Sequence, residues 1–119
     1  MLVVALACIA QAAAKDGVVA HLENPGVLRA APGAKVTLVW TLRAGRLPFG
    51  ASGVYVRLHG RTSTSALAAE VAPGRFRARV SIPPGGVRSI VIALKGWSSG
   101  PQGIRRRDMR FSIDNDPTR

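Results

Sequence analysis

Cysteine, acidic residues and aromatic rings are all scarce in this chain of 119 residues. Cys8 is the only cysteine, so no intrachain disulfide and no paired-cysteine metal site can form. Aromatics make up 5% of the residues, which leaves few platforms for stacking nucleobases beside the basic residues. Only two histidines occur, His21 and His59, with no spacing of the His-x-x-x-His kind, so a metal site would have to draw on them, Met109 and scattered carboxylates. Six Asp and Glu face 17 Lys and Arg, a formal net charge of +11. That surplus draws the domain toward polyanions and keeps it soluble. It is almost all arginine, in a composition also rich in Ala, Gly, Pro and Val, as the codon bias of a GC-rich genome would favour.

The chain has one long apolar run, "MLVVALACIAQAAA" at 1–14. It is shorter than the roughly 20 residues that a spanning helix needs, but it suits the apolar part of a signal peptide. Ala12 and Ala14 supply small residues for cleavage. A signal peptide is therefore expected over 1–14, with a single domain over 15–119 exported to the periplasm or the exterior. Cys8 follows Ala5 by three positions, where a lipobox usually carries leucine, so no lipoprotein is expected.

Downstream, short extended stretches alternate with Pro and Gly turns. Candidate strands are 17–23, 34–43, 52–58, 64–70, 75–82, 87–94 and 109–114. Turn signals every 8–12 residues or so around β-branched runs predict an all-β fold. Side chains alternate across a strand. Val36, Leu38, Trp40 and Leu42 therefore share an inner face, as do Val54, Val56 and Leu58, and Phe76, Ala78, Val80 and Ile82. The expected architecture is an immunoglobulin-like antiparallel β-sandwich of about seven strands.

The same alternation sends Arg75, Arg77 and Arg79 outward, with Arg43, Tyr55 and Arg57 outward on their own strands. If those strands share a sheet, the guanidinium groups form one anion-binding stripe. The densest basic run, Arg105, Arg106 and Arg107 in "RRRDMR", is expected as a solvated loop near anionic lipid or wall polymer.

Enzymatic patterns fail on context. "GWSSG" at 96–100 matches G-x-S-x-G, but no helix follows Ser98 and both histidines precede it, so it is expected as a turn with no catalytic role. Asp114 and Asp116 lack the glycine and distal glutamate of a calcium loop. Cleavage after Ala20 would make His21 the mature N-terminus, able to clasp Cu(II) through amine and imidazole. Such a chain is similar to CopC-like copper-binding proteins, although their later "DGH" element is missing.

"PGAKVTLVWTLRAGRLPFGASGVYVRL" and "PGRFRARVSIPPGGVRSIVIALKGW" resemble the YtkA-like family of exported bacterial domains over roughly residues 30–97. The likeness rests on a G-x-x-V-x-L-x-W-x-L strand, a G-x-x-PF-x-A loop and a G-x-F-x-A-x-V-x-x-P-x-GG hairpin. It implies an immunoglobulin-like domain, secreted or membrane-anchored, with no catalytic residues to carry over. The expected function is a non-enzymatic binding or structural module of the cell envelope. Its partner would be an envelope protein or an anionic surface, peripheral to membrane at most, with no specific nucleic acid. The alternatives are copper binding through His21 and polyanion or anionic-lipid binding through Arg57, Arg75, Arg77, Arg79 and Arg105–Arg107.

Overall fold

The structure, a computed structural model, describes residues 14–119, with side chains from residue 17 onward. The leader expected over 1–14, Cys8 included, lies outside the described residues except for Ala14. The first strand, β1, begins at that residue and runs Ala14–Leu22. A 3-10 turn over Pro25–Arg29 leads to β2 (Lys35–Ala44), β3 (Leu47–Pro48), β4 (Val54–His59), β5 (Ser63–Leu67) and β6 (Ala69–Ala72). Then come β7 (Arg75–Ser81), β8 (Ser89–Leu94), β9 (Trp97–Gly100), β10 (Gly103–Arg106) and β11 (Met109–Ile113).

The fold is all-β. The main sheet runs in the order β5-β4-β8-β11-β1-β2-β7-β6, with β3 alongside β2, while β9 and β10 make a separate two-stranded ribbon. Neighbours pair antiparallel except β1 and β11, which are parallel. The sheet curls until its ends almost meet, and the Thr64 hydroxyl on β5 donates to the Ser81 carbonyl on β7 at 2.6 Å. The register of β1 shifts between Ala14 and Val19. Gly17, at φ +80°, sits within that break, where backbone of this hand is open to glycine and strained for other residues.

Alternation in the sequence becomes inside and outside. Leu38, Trp40 and Leu42 on β2 are wholly buried, as are Val56 and Leu58 on β4, and Phe76, Ala78 and Val80 on β7 are nearly so. Trp40 lies directly opposite Phe76 in the β2–β7 ladder, their rings stacked at 6.1 Å and 14°. Full burial of a side chain such as Phe76 is worth about 1.5–3 kcal/mol. Phe49 meets Phe111 edge to face at 5.8 Å, extending the core across the sheet. No polar or charged residue is buried among the described residues. Among the described residues, the one buried side-chain nitrogen or oxygen without a partner is the Trp40 indole Nε1.

Three segments depart from expectation. The strand expected over 64–70 breaks at Ala68, whose N–H donates to the Val54 carbonyl at 2.9 Å. Before the break the chain pairs with β4 and after it with β7, so one stretch serves both ends of the curled sheet. "GWSSG" is a strand rather than a turn. It pairs through β9 with β10, which holds Arg105 and Arg106, so the basic run begins in a ribbon instead of a loop. The chain reverses at Pro101 and Gln102, and Gly103, which opens β10, leaves the turn at φ +98°, a conformation that costs glycine little.

Candidate functional site

The outer faces of the sheet carry the cations, and the topology sorts them into three groups. On β7, Arg75, Arg77 and Arg79 lie opposite Thr41, Val39 and Thr37 of β2. Arg43 continues the same outer face of β2, two residues beyond Thr41. Arg75 is neutralised by Glu23, Nη2 to Oε1 at 3.0 Å. Among the described residues Arg43, Arg77 and Arg79 have no ion-pair partner.

Arg57 is not paired with this stripe: its ladder neighbours are Ser65 of β5 and Val91 of β8, and β5 stands between β4 and β7 where the curled sheet nearly closes. Arg57 lies instead over the Tyr55 ring at 5.5 Å. There it lines an open cleft of about 300 Å³ together with Leu67, Lys95 and Arg106. Arg57, Arg75, Arg77 and Arg79 thus belong to one sheet, as the stripe requires, but on strands that do not pair with each other, with Arg57 drawn to the Tyr55 ring.

The second group is tied together by Asp108. This carboxylate accepts from Tyr55 Oη at 2.5 Å, from Arg106 Nε at 2.6 Å and Nη2 at 3.1 Å, and from the Gly96 N–H at 3.2 Å. Burial alone would push the Asp108 carboxyl up, but hydrogen bonds from Arg106, Tyr55 and Gly96 outweigh it and hold the group at about 2. Burial, then the adjacent carboxylate, push the Tyr55 phenol up from its ordinary value. Asp108 therefore clamps both feet of the β9–β10 ribbon, Gly96 before it and Arg106 within it, onto β4. The sequence offered no sign of this clamp, because Tyr55 and Asp108 are 53 residues apart. Alternation along the sequence of β4 marks Tyr55 as an outward residue, whereas the structure buries it along with Val54 and Val56.

The third group was not foreseen. The β8–β11 ladder runs from Met109 opposite Leu94 to Phe111 opposite Ile92, while β8 itself extends back to Ser89 and β11 on to Ile113. A cleft of about 480 Å³ opens where they part, with Arg88, Arg110, Arg119 and His59 among its walls. Arg110 ends the basic run at 105–110, but its sharing a cleft with Arg88 follows only from where the ladder ends. Asp116 also lines this cleft. It is occupied with the N–H and hydroxyl of Thr118 at 2.8 and 2.6 Å and with Arg119 Nε at 3.9 Å.

Ser98 of the G-x-S-x-G match faces Arg105 across the ribbon. His59 Nδ1 is engaged with Ser63 Oγ at 2.8 Å and His21 Nδ1 with Asp114 Oδ1 at 2.8 Å, so neither histidine is set beside Ser98. His21 sits within the β1 ladder, opposite Thr41. A chain cut after Ala20 would lose Val18 and Ala20, both core residues, so a terminal copper clasp at His21 would remove part of the fold that carries it. No group of three or more metal-ligating side chains occurs among the described residues. No helix among them is long and apolar enough to cross a membrane.

No family model matches the chain, and no curated protein matches it. Among solved structures it is similar to a DUF4785 family protein from Legionella pneumophila, at 17% identity and a TM-score of 0.39. The match covers 69% of this chain and 25% of that one.

Proposed function

We propose that this chain is an exported, non-enzymatic, immunoglobulin-like module of the cell envelope whose partner is anionic. The observation that carries the reading is how its few carboxylates are used. Every acidic side chain described from residue 17 onward is already engaged within the chain. Glu23 holds Arg75, Asp108 holds Arg106, Asp114 meets His21, Asp116 meets Arg119, and Glu70 accepts from the Gly74 N–H at 2.9 Å. What remains toward solvent is an unneutralised field of guanidinium groups. Such a field concentrates anionic partners and speeds their encounter.

Two further points support the finer parts of the proposal. β1 pairs antiparallel with β2 on one side and parallel with β11 on the other, and the curling of this one sheet brings its two halves face to face over a shared core, which is compatible with a sandwich. The motifs at 30–97 that resemble YtkA-like domains fall on β2, β4, β7 and β8, which bring core and turns but no chemistry. The non-enzymatic reading draws on the separate placing of the three side chains, with His59 engaged by Ser63, His21 by Asp114, and Ser98 paired along the ribbon with Arg105.

Binding to dextran sulfate, with neutral dextran as control, tests the proposal. The charged polymer binds and the neutral one does not. Converting Arg77 and Arg79 together to glutamine lowers the affinity roughly tenfold, because two neighbouring charges leave the contact. Equal affinity for both polymers would refute the anionic partner.

A further inference from the structure

We infer that the β9–β10 ribbon and the cleft at its foot form a docking surface for a lipid bilayer that carries anionic headgroups. The inference rests on the anionic-partner reading above and names the partner of one of its surfaces. In the ribbon ladder Trp97 lies opposite Arg106 and Ser99 opposite Ile104. Directly paired residues share a face and the pattern repeats every second position, so Trp97, Ile104 and Arg106 occupy one side and Ser98 and Arg105 the other.

Trp97 is 66% exposed and Ile104 74% exposed, and Leu67, on the wall of the cleft beneath, is 60% exposed. Large apolar side chains left this open on a projecting two-stranded ribbon have no core to enter. An isolated ribbon of two strands is itself marginally stable in water, yet here the Asp108 clamp fixes it to β4. The cations stand around the same apolar group. Arg106 lies over the Trp97 ring at 5.6 Å, Arg57 and Lys95 share the cleft with Leu67, and Arg105 and Arg107 belong to the adjoining basic run.

Of the three cationic groups this one combines basic residues with exposed tryptophan and aliphatic side chains. That pairing matches the two layers of a membrane surface. Tryptophan settles at the headgroup level, aliphatic tips enter the acyl boundary, and Lys and Arg meet anionic phosphates. A soluble polymer offers no apolar layer, so it would leave Trp97 and Ile104 without a function. The cations near a charged leaflet strengthen binding with each residue added.

The intrinsic fluorescence of the chain gives a direct test. Of its two tryptophans, Trp40 is wholly buried and Trp97 is exposed, so a change on docking reports Trp97. Vesicles of phosphatidylcholine mixed with phosphatidylglycerol are expected to shift the emission to the blue and to sediment the protein, whereas pure phosphatidylcholine vesicles do neither. Converting Trp97 to alanine together with Ile104 to serine lowers vesicle partitioning roughly tenfold or more, with dextran sulfate affinity unchanged. Both side chains are exposed, and an unchanged melting temperature verifies the fold of the variant.

If anionic vesicles bind with no blue shift, or the double variant partitions like the parent, the bilayer inference is overturned while the anionic-partner reading stands. If dextran sulfate and anionic vesicles both fail to bind, both fall.

Discussion

Replacing Asp108 with asparagine removes the charge that ties the ribbon to the sheet, and its effect on stability can be worked from the geometry. The carboxylate accepts from Tyr55, Arg106 and the Gly96 backbone, and its side chain is only 20% exposed. Its folded state holds the carboxyl at about 2 against an ordinary 3.8, which corresponds to about 2 kcal/mol of folding stability at neutral pH. Because the folded value is the lower one, this contribution is fully present above the unfolded value. It declines as pH falls through the range between the two values and is gone below the folded one. Urea unfolding of parent and Asp108→Asn across acidic to neutral pH is the assay. The variant is expected to be less stable by about 2 kcal/mol at pH 7, a melting-point drop of about 10 °C for a domain of this size, with the gap closing toward pH 2. A gap that stays constant through that range, or no gap at pH 7, would refute the clamp.

Glycine positions and one surface pair give sharper contrasts. Gly33 and Gly74 both have positive φ, +89° and +71°, but a Cβ at Gly33 meets open space, whereas at Gly74 it would lie 2.7 Å from Pro48 Cβ and 2.9 Å from the Leu42 carbonyl. Gly33→Ala is expected to cost about 1 kcal/mol from backbone strain alone, and Gly74→Ala about 2 kcal/mol or more beyond that from the added clash, measured by chemical denaturation. Glu23→Gln frees Arg75 at a half-exposed ion pair. Stability should change by less than about 1 kcal/mol, while affinity for dextran sulfate rises, since the β7 stripe gains an unneutralised charge.

How far the sequence foretold this depends on the range of each interaction. The strands at 34–43, 52–58, 75–82 and 87–94 were legible because burial imposes a two-residue period that neighbours reveal. Leu38, Trp40, Phe76 and Val80 accordingly lie inside. The ribbon was missed because Trp97 and Ile104 are not buried, so β9 and β10 carry no inner and outer face to read. The break at Ala68 was missed because Ala66, Ala68 and Ala69 offer too little contrast between faces to show where the chain changes partner. The outward direction of Arg57 and Arg77 was legible, but whether their strands pair depends on strand order. No single strand encodes that order. Likewise Arg88 and Arg110 line one cleft only because the β8–β11 ladder stops short of the strand ends.

The salt dependence of dextran sulfate binding by the parent and by the Arg77→Gln, Arg79→Gln double variant tests the anionic-partner reading most directly. The account predicts that affinity falls steeply as salt rises, and that the double variant shows a shallower log–log slope by about 1–2, as two fewer cations release counterions. Affinity indifferent to salt, or identical slopes for the two proteins, would contradict it.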